Sequence, residues 1–263
     1  MVYEFHGLTD TGRLRSNNED AIACEPDLGL ALLADGMGGY QAGEVASAMA
    51  TGTVSATLGT WLLGKRAKTS SREITAAMRQ SVDQANQAIL QASIDNPNFT
   101  GMGTTLVMAV FCGARALIGH VGDSRCYRWR EGRLEQLTRD HSLLQEQVDA
   151  GLLTPEQAEH APHRNLVTRA LGVESAVALD VAEHAVLPGD LYLLCSDGLS
   201  DMLRHEGMLH LLRTPGDPPA LDTLARALVD GANAAGGRDN ISVILVRATG
   251  GQKRGLLSRW LPH

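Results

Sequence analysis

An α+β fold, with strands and helices sorted into layers around a core, is what this sequence predicts. Short apolar or alternating runs of strand length recur along the chain. Helical periodicity is confined to a few longer stretches, and the two do not alternate as regular βαβ units. With 263 residues, 44% of them hydrophobic, the chain has apolar material for one large domain or two small ones. It contains no internal repeat.

Taken in order, residues 2–11 and 21–24 read as strands around the polar loop 12–18, and 29–34 as the next strand. Residues 42–61 and 72–93 read as helices. The second is amphipathic, with Ile74, Met78, Val82, Ala85 and Ile89 on one side. The basic stretch 65–71 between them reads as an exposed turn. Residues 104–112, 114–121 and 125–129 form a strand-rich meander broken at Gly113 and Gly122. The stretch 142–171 has short helical pieces punctuated by Gly151 and Pro155, and reads as an inserted flap. Strands return at 177–184 and 191–195, helices follow to about Ala235, and 241–246 is a last strand. The tail, 250–263, sets Lys253, Arg254 and Arg259 beside Leu256, Leu257 and Trp260. It is either a loosely held terminus or a docking segment for a partner or acidic surface.

Composition excludes several function classes. A formal charge of −7 argues against nonspecific nucleic-acid binding, which needs a basic face. Residues 45–64 are uncharged and about as long as a bilayer span. They are filled with Ser, Thr, Ala and Gly, however, and fit a buried helix rather than a membrane span. The start, Met1-Val2-Tyr3-Glu4-Phe5-His6, has neither the basic nor the apolar region of a secretion signal. Cys24, Cys112, Cys126 and Cys195 are widely spaced with no CxxC pair, so reduced thiols are expected rather than disulfides or a zinc site. The expected compartment is the cytoplasm.

The chemistry lies in the aspartates. The run Leu30-Ala31-Leu32-Leu33-Ala34 ends in Asp35-Gly36-Met37-Gly38-Gly39, which reads as a strand stopping at a carboxylate and a glycine turn. Asp123 and Asp197 also follow apolar runs, and Asp20 and Asp239 precede them. Carboxylates held at the edge of a core suit Mg²⁺ or Mn²⁺, which prefer oxygen ligands. No HExxH, paired-histidine or cysteine cluster offers an alternative for zinc. Two such ions can share a bridging water, lower its pKa and orient it for in-line attack on phosphorus, so a two-metal phosphate-ester hydrolase is expected.

The ordered set Arg15-Ser16-Asn17-Asn18-Glu19-Asp20, Asp35-Gly36-Met37-Gly38-Gly39, Gly101-Met102-Gly103-Thr104-Thr105, Gly122-Asp123-Ser124-Arg125, Leu137-Thr138-Arg139-Asp140-His141-Ser142, Ser196-Asp197-Gly198 and Asp239-Asn240 resembles that of bacterial PPM/PP2C-type protein serine/threonine phosphatases. The resemblance spans about 5–247. It implies a β-sandwich of two antiparallel sheets flanked by helices on both faces, a phosphatase domain over 1–249 with the flap at 142–171 inside it, and a separate tail. It also implies that Asp35 bridges two ions and that the Gly36 carbonyl binds one of them. Asp197 and Asp239 match ligands of the first ion, and Glu19 and Asp20 the pair that holds waters on the second. Asp123 with Asp197 resembles a third, weaker site, which Asp201 would support. Arg15 resembles the arginine that grips the substrate phosphate, as a guanidinium fork suits phosphate oxygens. Arg13 is a second candidate with an equally plain surface role. Thr104 and Thr105 are expected to pack the sandwich near the site.

The implied activity is hydrolysis of phosphoserine and phosphothreonine by water on two Mn²⁺ or Mg²⁺ ions, with phosphoprotein substrates, an opposing serine/threonine kinase and a monomeric enzyme. One departure stands out. Eukaryotic members commonly carry a histidine where this chain has Met37, which cannot donate a proton to the leaving group. A metal-bound water is the first candidate for that acid, with His141 and His163 behind it, while His120 reads as a satisfied core or edge residue. The rival functions are a pseudophosphatase that binds without turnover and a phosphatase of small-molecule phosphate esters.

Overall fold

A computed structural model of the chain describes residues 1–39, 41–64, 69–154, 157, 166–213 and 219–250. The candidate acid His163, part of the 142–171 segment and the tail beyond Gly250 lie outside the described residues.

Two antiparallel sheets face each other. The strands are β1 (Val2–Asp10), β2 (Asp20–Glu25), β3 (Leu30–Met37), β4 (Gly103–Thr104), β5 (Leu106–Cys112), β6 (Arg115–Val121), β7 (Arg125–Arg130), β8 (Arg133–Gln136), β9 (Asp180–Ala185), β10 (Leu191–Cys195) and β11 (Ile241–Thr249). One sheet runs β1-β11-β10-β7-β8. The other runs β2-β3-β5-β6-β9, with β4 paired to the end of β3. Helices α1 (Ala42–Leu63) and α2 (Ser71–Asp95) cover the second sheet, and α4 (Asp197–Leu212) and α5 (Leu221–Ala234) cover the first. The short α3 (Leu143–Asp149) lies in the 142–171 segment.

Strand alternation builds this stack. In β3, Leu30, Leu32 and Ala34 join the helix-side core with α1 and α2, while Ala31 and Leu33 join the inter-sheet core. The central strands are thus buried on both faces, which is why they read as continuous apolar runs rather than alternating ones. β11 divides the same way: Val243 and Leu245 meet α5, and Ile244 and Val246 meet the opposite sheet. α2 starts on a capping box in which the Ser70 side chain and Glu73 satisfy each other's backbone N–H groups. α1, the stretch whose length suggested a membrane span, buries Ala46, Ala50, Val54 and Leu58 against this layer. Among the described residues no helix is long and apolar enough to cross a membrane.

Three sequence expectations need correction. β3 does not stop at Asp35 but continues to Met37, because β4 takes over its pairing through Gly36 and Met37 after β5 diverges. The expected strand at 104–112 is therefore two strands. The expected strand at 177–184 begins only at Asp180. All four cysteines are unpaired.

Tyr192, fully buried in the inter-sheet core, packs edge-on against Phe111 at 5.1 Å between ring centroids, and its hydroxyl has no partner among the described residues. A buried hydroxyl without a hydrogen bond is a net cost. Tyr192→Phe is therefore expected to leave the melting temperature unchanged or raise it, by up to about 1 kcal/mol of stability. A clear drop in the thermal melt would show that the hydroxyl is bonded.

Candidate metal centre

The edges of both sheets converge at one end of the sandwich. Asp20 opens β2 and stands directly across the ladder from Asp35 of β3. Like charges directly opposite in an antiparallel pair repel, and here both carboxyls are also drawn out of water. From the other sheet, Asp197 begins α4 straight after β10, and Asp239 precedes β11. Asp123 is buried in the loop between β6 and β7.

Their protonation shows the strain of this gathering. Loss of solvent pushes the Asp20 and Asp123 carboxyls up to about 6, with Asp239 adding to the effect at Asp20 and Asp140 at Asp123. Asp35 and Asp197 are raised well above the usual carboxylate range. Desolvation is the largest cause for each, followed by Asp20 for Asp35 and by Asp123 and Asp201 for Asp197. Asp201, one turn into α4, therefore lies within the same field. The Oδ2 of Asp20 accepts a hydrogen bond from Ser196 at 2.9 Å, but its buried Oδ1 has no partner among the described residues. An orphaned carboxylate oxygen amid several crowded carboxylates, with no sulfur or imidazole among them, fits a hard divalent cation.

Close backbone approaches hold the cluster together. A Cβ on Gly36 would lie 2.0 Å from the Gly43 carbonyl oxygen, and one on Gly43 would lie 2.3 Å from Glu19 Oε2. Only glycine permits the start of α1 to press so closely on β3 and Glu19. The Gly36 N–H donates to the Glu19 carbonyl at 3.1 Å, as does the Ser47 hydroxyl at 2.5 Å. Asn240 joins the two sheets: its Oδ1 accepts from Glu19 N–H at 2.8 Å, and its Nδ2 donates to the carbonyls of Thr11 and Asn17. Thr105 joins two acidic loops, accepting from Asp35 N–H at 3.0 Å and sharing a hydrogen bond with the Ser124 hydroxyl at 2.7 Å. Arg125 clasps Asp140 through Nε and Nη2, tying the Asp123 loop to 137–142.

Every candidate carboxylate ligand except Glu19 is tied to this field by the pKa effects above. Glu19 adjoins it, with Oε1 accepting from Asn17 and Oε2 against Gly43. Arg15 also reaches it: Nη2 pairs with Asp239 Oδ2 at 2.6 Å while the side chain stays half exposed. Arg13 is exposed, its main chain bonded to Gly237. Thr104 and Thr105 pack as expected, and His120 is buried with Nε2 against the Arg139 carbonyl at 2.7 Å. Gly43, Ser196 and Asn240 carry roles that the sequence did not disclose. A glycine at the second position of a predicted helix was the available signal for Gly43.

Comparison with known proteins places the chain among relatives. Residues 13–238 match the family described as protein phosphatase 2C. The serine/threonine phosphatase stp of Listeria welshimeri serovar 6b is 37% identical over 241 residues, 90% of this chain and 93% of that protein. The crystal structure of the Mycobacterium tuberculosis serine/threonine phosphatase PstP/Ppp matches with a TM-score of 0.85 at 36% identity, over 95% of this chain and 100% of that one. The catalytic domain of PstP in complex with two manganese ions matches with a TM-score of 0.82 at 36% identity, over 95% and 99%. The chain belongs to the protein phosphatase 2C family. It is a serine/threonine protein phosphatase.

The carboxylate shifts set a pH dependence. Asp20 and Asp123 keep their protons to about 6 in the folded, metal-free chain, against 3.8 for the ordinary group. Between these values the folded state binds more protons than the unfolded one, so their contribution to stability is full below 3.8 and is lost as pH rises through 6. In EDTA, the melting temperature is expected to decline across this window, and Mn²⁺ at neutral pH to restore it by binding the folded state. Melts in EDTA that stay flat across the window would contradict the crowded-carboxylate account.

Proposed function

We propose that this enzyme hydrolyses phosphoserine and phosphothreonine in proteins at the acidic cluster, and that it reverses the action of a serine/threonine kinase. The observation that carries this is the facing pair Asp20 and Asp35 with its unpartnered Asp20 Oδ1. Asp35, Asp197 and Asp239, with the Gly36 carbonyl, are the groups that would hold one ion. Asp35, Glu19 and Asp20 would hold the second, directly or through waters, and Asp123, Asp197 and Asp201 a weaker third. When bound, the ions supply an acidified water for attack on phosphorus and offset charge on the phosphoryl oxygens.

The chain's own residues do the remaining work. Asp35 reaches both halves of the cluster because it stands on a central strand rather than a mobile turn. Arg15 is held beside the site by Asp239 through Nη2, and its half-exposed guanidinium has further donors to offer phosphate oxygens arriving from solvent. Of the candidates among the described residues, neither Met37 nor His141 suits protonation of the leaving alkoxide, which falls to solvent-derived water. Met37 has no proton to give, and His141 has Nδ1 engaged by Gly122 N–H and Nε2 beside Asp180. The acidic set is complete, which supports turnover over binding alone. Phosphatase domain 1–249, a separate tail, a monomeric enzyme and a cytoplasmic site of action complete this proposal.

Purified protein is expected to release phosphate from phosphoserine and phosphothreonine peptides with Mn²⁺ or Mg²⁺ and to fall silent in EDTA. Asp239→Asn and Asp35→Ala should each lower kcat by about 10³-fold or more while the protein stays folded. Full turnover in chelator, or a normal rate in either variant, would refute the assignment. A panel of phosphopeptides, nucleotides and diesters separates a protein substrate from small esters.

Arg15→Ala is expected to cut kcat/KM for phosphopeptides about 10–100-fold, the loss of a charge-assisted contact worth roughly 1.5–3 kcal/mol. Stopped assays over a range of peptide concentrations would show it, and an unchanged kcat/KM would remove Arg15 from phosphate binding.

A further inference from the structure

His141 belongs to the 137–142 motif, to which the sequence assigned no structural task. It is buried, with its ring stacked on His120 at 4.7 Å between centroids. Its main chain and its ring grip the same residue. The His141 N–H donates to the Gly122 carbonyl at 2.9 Å, and the Gly122 N–H donates to His141 Nδ1 at 3.0 Å. With Nδ1 accepting, a neutral ring carries its proton on Nε2, which donates to Asp180 Oδ2 at 3.2 Å.

The other side of His141 faces the base of the 142–171 segment. Its carbonyl accepts from Thr168 N–H at 2.9 Å, and Ser142 bridges to Val167. Arg169 sets Nη1 3.2 Å from Asp180 Oδ1 and 3.0 Å from His141 Nε2. Through main chain and ring together, His141 thus connects β9, the base of this segment at Thr168 and Arg169, and the residue immediately before Asp123.

His120, His141 and Asp180 also bring ligand-capable atoms within 4.8 Å of one another, a donor set that transition ions accept. Arg169 opposes that use, because a guanidinium already supplies positive charge there. His120 Nε2 and His141 Nδ1 are also engaged with main-chain groups. The arrangement resembles the outer hydrogen bonds that orient metal ligands.

We propose that His141 is a positioning residue that ties the base of the 142–171 segment to Gly122 and so sets Asp123 in place for cation binding. This rests on the metal-dependent function proposed above. Loosening the tie weakens cation binding without removing any ligand.

The test uses the full chain stripped with EDTA. Mn²⁺ is titrated by calorimetry, and p-nitrophenyl phosphate turnover is followed across Mn²⁺ concentrations. His141→Ala is expected to weaken the most weakly held Mn²⁺ about tenfold, within the usual range for losing an outer-shell partner. The Mn²⁺ needed for half-maximal turnover should rise by about the same factor, with kcat at saturating Mn²⁺ recovering to within about twofold. His141→Asn can still accept the Gly122 N–H through its Oδ1, and is expected to restore both quantities. Unchanged Mn²⁺ affinity in His141→Ala, or equal weakening by Ala and Asn, overturns the proposal.

Asp180→Asn leaves the His141–Gly122 pair intact and loosens only the far arm, so it serves even if His141→Ala fails to fold. It is expected to weaken Mn²⁺ about threefold at unchanged stoichiometry. Unchanged affinity there, or loss of one bound equivalent, which would mark the histidine pair as itself a metal site, also overturns the proposal. Absence of any Mn²⁺ binding by the unmodified protein would instead locate the failure in the metal-dependent function, and the coupling would fall with it.

Discussion

Two aspartates facing each other across an antiparallel ladder form the constraint on which this molecule turns. Loss of solvent raises both carboxyls, and the charge of Asp20 raises Asp35 further, while hydrogen bonds draw Asp20 part of the way back. Such a pair persists in a folded protein only if something of opposite charge compensates it, or if one member stays protonated. Among the described residues, the arginines beside the cluster do not relieve it. Arg15 pairs with Asp239 and Arg125 with Asp140, so neither guanidinium is paired with Asp35. The rest of the site can be understood as the means of bringing more carboxylates to that spot without letting the structure spring apart.

Those means are mostly main-chain contacts. Gly36 and Gly43 let a helix and a strand touch backbone to backbone, and a Cβ on Gly198 would lie 2.1 Å from the Asn240 carbonyl oxygen. Asn240 and Thr105 then fasten loops of both sheets with side-chain hydrogen bonds that are insensitive to the charge state of the cluster. The helices contribute in a second way. Asp197 stands in the first turn of α4, where the positive end of the helix dipole favours a carboxylate. That attraction falls short of the crowding, since Asp197 still holds its proton well above the ordinary range.

Much of this was legible in the sequence, and the exceptions share a cause. Apolar runs ending at aspartates exposed the central strands and the acidic set, because burial on both faces and a carboxylate at one end leave a linear signature. The continuation of β3 past Asp35 was not legible, since it depends on β4, a two-residue strand from almost seventy positions away. Asn240 and Ser196 were visible as letters within motifs, but their task is to join segments distant in sequence, and only the fold reveals it. The same holds for 137–142, whose Asp140 and His141 back the loop that carries Asp123. Local pattern reports what a segment buries; it is silent about which distant segment leans on it.

The pairing of β1 with β11 carries a consequence for how the enzyme comes into being. Val2 lies opposite Thr249, and the ladder runs unbroken to Asp10 opposite Ile241, so the earliest strand waits for the latest. Asp20 and Asp239 are separated in the same way. During synthesis the five-stranded sheet stays open on one side until the final strand emerges, and such long-range closure is slow relative to local structure. Completion of the acidic cluster is therefore a late event in the life of each molecule: a chain that stops before β11 has the facing pair Asp20 and Asp35 but not the strand that joins β1 to β10.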